Sequence, residues 1–109
     1  MEETLSPAQA EVNQLVENGC QALEDFLKFD QDQFDYIVAK CSVAALDKHG
    51  ELAKLAIEET KRGVFEDKAT KNLFACEYVV NHMRHLKSVG VIKEDEVQGL
   101  TYVAEPVGV

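Results

Sequence analysis

The sequence has no tryptophan, two prolines, and only 11 lysine and arginine residues against 20 aspartate and glutamate residues. The basic shortage leaves a formal charge of −9 at pH 7, which repels polyphosphates unless a basic face is segregated from it. No such face is present. The tightest basic grouping, Lys61, Arg62, Lys68 and Lys71, is interleaved with Glu58, Glu59, Glu66 and Asp67 and reads as a solvated mixed-charge surface. No nucleic-acid partner is expected. Long apolar runs are missing too, so no segment approaches the length that crosses a bilayer. The opening MEETLSPAQAEV has neither a basic n-region nor an apolar h-region. These features point to no signal peptide, no membrane partner and a cytoplasmic location.

Cysteine is scarce and odd in number: Cys20, Cys41 and Cys76 stand far apart among apolar residues. That spacing argues against a disulfide framework and for buried, reduced thiols packed as small hydrophobes on helix stripes. Glycine-rich turns are also missing. The glycines at 19, 50, 63, 90, 99 and 108 are dispersed, so no strand-to-helix turn offers backbone N–H groups to a phosphate. No repeat of solenoid length and no low-complexity segment occurs.

What is present is a helical pattern. A chain of 109 residues, 46% of them hydrophobic, is one domain at most and is expected to bury roughly 60–65% of its unfolded surface. Ser6-Pro7-Ala8-Gln9 reads as a capping box with proline in the first helical position. Val12, Leu15, Val16, Cys20, Leu23, Phe26 and Leu27 then recur at three- and four-residue steps, opposite Glu11, Glu17, Glu24 and Asp25. A second helix is predicted to be capped at Asp30, with Phe34, Ile37, Val38, Cys41, Ala44 and Ala45 inward, Lys48 and His49 near its end, and Gly50 as the stop. A third runs from Leu52 to Arg62, closed by Gly63, with Leu52, Leu55 and Ala56 inward. A fourth is capped by Asp67 and runs to about Lys87, with Leu73, Cys76, Val80, Met83 and Leu86 inward.

After Ser88 the period changes. Gly90 and the charged run Lys93 to Glu96 break the helical pattern and lead into LTYVAEPVGV, where Leu100, Tyr102 and Ala104 alternate with Thr101, Val103 and Glu105 as in a strand. Pro106 bends that strand or keeps it at an edge, and Val107-Gly108-Val109 reads as the opening of a second one. The expected fold is therefore mainly α: about four helices over residues 6–88, then one or two strands within about 99–109. A run of β-formers with no breaker behind it is the expected mark of a truncated chain whose open strand edge awaits another segment.

Residues able to carry chemistry are few. His82 and His85, three apart on one helix, lie close enough to share a metal if a third ligand arrived from elsewhere, but neither an HExxH nor a paired Glu-x-x-His pattern accompanies them. A nucleophilic cysteine needs a base to lower its pKa, and all three cysteines fall on apolar stripes. No catalytic, cofactor-binding or metal residue is assigned.

Residues 63–80, GVFEDKATKNLFACEYVV, contain Glu66-Asp67-Lys68, Lys71-Asn72, Phe74-Ala75 and Glu77-Tyr78. This stretch resembles the segment that follows the early helices in CoA-acylating aldehyde dehydrogenases, most nearly in the aldehyde dehydrogenase half of the bifunctional aldehyde-alcohol dehydrogenases. LAKLAIEETKRG upstream is similar to the family's preceding helix. Gly90-Val91 and the run from Tyr102 to Val109 are similar to its approach to the first nucleotide-binding strand. The resemblance implies that residues 1–109 are the N-terminal portion of an α/β aldehyde dehydrogenase domain. The parent enzyme would interconvert acyl-CoA plus NADH with aldehyde, NAD+ and CoA, acetaldehyde being the expected aldehyde. It would work through a cysteine thiolate, a thiohemiacetal and a thioester. By the same resemblance the reacting and cofactor-binding residues lie beyond Val109, and none maps to Cys20, Cys41 or Cys76. NAD and CoA are thus the parent's cofactors, with none expected on this chain, and the expected partner is the remainder of the polypeptide or a homo-oligomer through the C-terminal strand. Two other readings compete: a stand-alone helical interaction module whose strand joins a partner's sheet, and a small metal-binding helical protein using His82 and His85.

Overall fold

A computed structural model describes residues 4–109, so the first three residues of the MEETLSPAQAEV stretch lie outside it. The chain divides into two compact units: residues up to Gln31 together with Lys87–Val109, and Asp32–Leu86.

In the first unit, helix α1 spans Pro7–Phe26 and starts as the residues dictate. Ser6 Oγ accepts from the Gln9 N–H at 3.2 Å, Gln9 Oε1 accepts from the Ser6 N–H at 2.8 Å, and Pro7 takes the first helical position. Two donors with no partner inside the helix are satisfied this way. The apolar stripe is where expected but uncovered: Val12 is 57% exposed and Leu15 63%, while Leu23 and Phe26 are half-buried. The Phe26 ring meets Phe29 at 5.5 Å between centroids. Gly19 lies on the same stripe, and a Cβ built there would stand 2.8 Å from Val109 Cγ1, so the end of the chain rests on α1 at its smallest residue.

The rest of this unit is an antiparallel hairpin of β1, Gly90–Asp95, and β2, Leu100–Ala104. Lys93 pairs with Tyr102, Glu94 with Thr101 and Asp95 with Leu100, and a bulge falls between Val91 and Lys93. Asp95 Oδ1 accepts from the Gln98 N–H at 3.0 Å, and Gly99, at φ 66°, takes the left-handed conformation that completes the turn. The Lys93–Glu96 run, expected only to break the helical period, therefore lies largely within a strand. Charge signals a loop when a strand has one face buried. This hairpin has both faces largely open, so its charged side chains lose little hydration, and Lys93 Nζ sits 5.4 Å from the Tyr102 ring centre. Val107-Gly108-Val109 forms no strand, because no strand among the described residues pairs with it.

The second unit holds most of α2, Gln31–Asp47, with α3, His49–Thr60, packed against α4, Phe65–Leu73. A π-helical segment, Phe74–Val79, and a last short helix, α5, Val80–Met83, complete it. Several expected boundaries shift. Gly50 does not stop α2: it lies inside α3, and the break falls on Lys48 at φ −106°, ψ 7°. The left-handed residue ending α3 is Lys61, at φ 59°, not Gly63. Val64 precedes α4 without a side-chain cap, and Asp67 sits in its first turn, where its charge suits the positive pole. The fourth helical stretch ends at Met83 rather than near Lys87.

Gly63 has its own necessity. At φ 94° it takes a backbone conformation in which any side chain would be strained, and a Cβ there would also displace the flexible end of Lys68. Lys48 Nζ donates to Glu51 Oε2 at 2.9 Å; that bond first, and the carboxylate charge second, hold the Lys48 ammonium above its ordinary pKa. Across the helix pair, Asn72 Nδ2 donates to the His49 carbonyl at 3.0 Å in a partly buried position.

Burial is far below the expectation for a folded domain. A compact monomer of this mass exposes about 6,000 Å², whereas this chain exposes 9263 Å². Among the described residues only Ala53 is buried, at 1% exposure. The stripes are correct as patterns, but the surfaces they should press against are not supplied by these residues.

Candidate functional site

His82 and His85 come together as their spacing requires, ring centroids 6.3 Å apart and edge to face. A metal needs a third ligand, and no group of three histidine, cysteine, aspartate or glutamate side chains able to hold one exists among the described residues.

The cysteines correct an expectation. Cys20 and Cys41 are exposed and Cys76 is half-buried, although all three lie on apolar stripes. The reason is the missing cover: a stripe buries its thiol only when a second surface lies on it. Cys76 lines a cleft of about 210 Å³ with Ser42, Val43, Leu46, Glu77, Asn81 and Arg84. No hydrogen bond joins any of the three sulfurs to a base among the described residues, so none has the partner that generates a nucleophilic thiolate.

A dinucleotide or CoA pyrophosphate needs converging backbone N–H groups, ordinarily at a helix start behind a glycine-rich turn. The described residues do not fit that demand. The start of α1 is closed by its own capping box, α2 opens between Asp30 and Asp32, α3 carries Glu51 in its first turn, and α4 carries Glu66 and Asp67. Acidic side chains at these positions repel phosphate. Gly63, Gly90, Gly99 and Gly108 take positive φ but stand on separate turns. Among the described residues no helix is long and apolar enough to cross a membrane.

The residues that do form a distinctive arrangement are those of the 63–80 stretch. Glu66, Asp67 and Lys68 make the first turn of α4, Asn72 ties α4 to α3, and Phe74-Ala75 with Glu77-Tyr78 lie in the π-helical segment, where the Phe74 and Tyr78 rings stack at 5.8 Å. The widened helical turn is a feature that sequence spacing did not reveal, because a period of 3.6 and a single π-helical insertion place nearly the same residues inward over so short a run.

No family model matches the chain. Individual proteins do. The chain is 68% identical over 108 residues to an aldehyde-alcohol dehydrogenase of Streptococcus pneumoniae, a match covering 99% of this chain and 12% of that protein. It is 58% identical over 100 residues to aldehyde-alcohol dehydrogenase 2 of Entamoeba histolytica, covering 90% of this chain and 12% of that protein. In structure it matches an acetylating aldehyde dehydrogenase of Geobacillus thermoglucosidasius with a TM-score of 0.70 and 40% identity, over 81% of this chain and 20% of that one. The chain belongs, as a segment, to the acylating aldehyde dehydrogenases. It spans about an eighth of the length of these curated relatives. For an acylating aldehyde dehydrogenase segment, a mainly helical chain ending in a hairpin agrees with the structural match, and the reading as an independent helical module is not favoured.

Proposed function

We propose that this chain is scaffold of a CoA-acylating aldehyde dehydrogenase: it takes part in folding and assembling an enzyme that converts acyl-CoA, NADH and a proton into aldehyde, free CoA and NAD+. The observation that carries the reading is the 68% identity running over 108 of its residues. Acetaldehyde is the product this reading favours, and NAD and CoA would be held by residues outside this chain. Its uncovered stripes, Val12, Leu15 and Val16 on α1 among them, support a role as one layer of a larger core. The proposed partners are the remainder of the same polypeptide or a second subunit meeting the C-terminal strand, in the cytoplasm.

The test is an NADH-oxidation assay with acetyl-CoA. The 109-residue chain alone is expected to give no CoA-dependent turnover, and the same residues joined to the rest of an acylating aldehyde dehydrogenase are expected to restore it. Turnover by the chain alone overturns the scaffold role. An inactive but folded joined enzyme overturns the assignment to this activity.

A further inference from the structure

The chain leaves one compact unit after Gln31 and returns to it at Lys87, so residues 32–86 are an insertion entered and left through one neck. At that neck two residues 57 positions apart exchange hydrogen bonds. The Ser88 backbone N–H donates to Gln31 Oε1 at 2.7 Å, and Gln31 Nε2 donates to Ser88 Oγ at 2.9 Å. One carboxamide thus uses its acceptor and its donor on the same distant residue. The segments on either side have no regular structure that would hold them together: residues 84–89 are turn and coil leading to β1, and Leu27–Asp30 are the turn and coil between α1 and α2. Either bond alone would compete with water, but the two share the cost of ordering one side chain.

We propose that Gln31 and Ser88 form a clasp that closes this neck. With the clasp shut, the first residue of α2 and the segment leading into β1 are fixed side by side. With it open, the inserted helical unit unfolds and recloses locally while the β1–β2 hairpin keeps its register. Opening of the clasp is then the first local unfolding step of the chain.

Amide hydrogen exchange on the full 109-residue chain tests this. The Ser88 amide is expected to be protected although it lies outside helix and strand. Gln31→Ala removes both bonds and should accelerate exchange about fivefold at Ser88 and through α2 and α3, with β1 and β2 amides unchanged. Ser88→Ala keeps the N–H bond and loses only the other, so its effect should be smaller. Gln31→Glu retains an acceptor for the Ser88 N–H and gains one for the Ser88 hydroxyl, so Ser88 should stay protected. The proposal is overturned if Ser88 exchanges at the unstructured rate in the unaltered chain, if Gln31→Glu behaves like Gln31→Ala, or if acceleration spreads equally into the hairpin. The last result would mean general unfolding rather than a clasp.

Discussion

Asn72 is half-buried between two helices, and its amide N–H reaches the His49 carbonyl at 3.0 Å. That carbonyl belongs to the first residue of α3, which sits directly after the break at Lys48, so the bond anchors the start of one helix to the face of another. His49 is held from its other side as well, with Nδ1 2.7 Å from the Leu46 carbonyl. Removing the donor leaves the His49 carbonyl with only the bond it accepts inside α3 and removes the tie between the helices, at a cost of about 1 kcal/mol. Asn72→Ala is therefore expected to lower the urea midpoint by an amount equivalent to about 1 kcal/mol. Asn72→Asp should be no better, because a carboxylate cannot donate to a carbonyl and would add repulsion to the site. If Asp restored the midpoint, the hydrogen bond would not be what holds α3 to α4. The same residue belongs to the stretch that resembles the acylating aldehyde dehydrogenases, and here its contribution is to packing, with no reacting group near it.

At the scale of elements, α1 offers the cleanest test because little else supports it. Both halves of its capping box are formed at the surface, and its stripe is mostly bare. Packing therefore contributes little, and the start signal accounts for an unusual share of the helix's stability. Ser6→Ala is expected to cost about 1 kcal/mol and to lower helical ellipticity by fraying from Pro7 inward. Ser6→Asp should retain most of the signal, since its carboxylate can accept the Gln9 N–H. This helix also shows why some of the fold was legible and some was not. The start of α1 depends on residues three apart, and the strand at Leu100–Ala104 depends on its own alternation, so both could be read locally. The end of α2, the left-handed turn at Lys61 and strand β1 could not, because each depends on distant residues or breaks a preference. Lysine takes the position that glycine ordinarily fills at Lys61. Lys93, Glu94 and Asp95 become a strand only because Tyr102, Thr101 and Leu100 lie across from them. Among the candidate site residues, the closeness of His82 and His85 was legible from their spacing, whereas the exposure of Cys20 and Cys41 was not, because it depends on what covers their stripes.

For the whole molecule the decisive quantity is exposed apolar surface. Val12, Leu15, Val16, Tyr102 and Val103 all face solvent, and β2 carries no charge along LTYVA. A short uncharged strand with an open edge is a template for another chain, and the net charge of −9 is not placed on that strand to oppose pairing. The edge of β1 is less suitable, because its bulge interrupts the ladder and Lys93, Glu94 and Asp95 place charge along it. The 109-residue chain is therefore expected to self-associate as its concentration rises, with a weight-average mass by light scattering above that of the monomer. Replacing Thr101 and Val103 together by lysine puts two like charges on one face of β2 and should return the mass to the monomer value, with helical ellipticity unchanged because no helix is touched. If association persists in that variant, the bare stripe of α1 is the adhesive surface instead, and Leu15→Lys should then abolish it. A chain that stays monomeric at every concentration before any substitution would mean that neither surface is adhesive by itself. The proposed pairing through the C-terminal strand would then lose its physical basis, while the assignment to the dehydrogenase family, which rests on sequence identity, would stand.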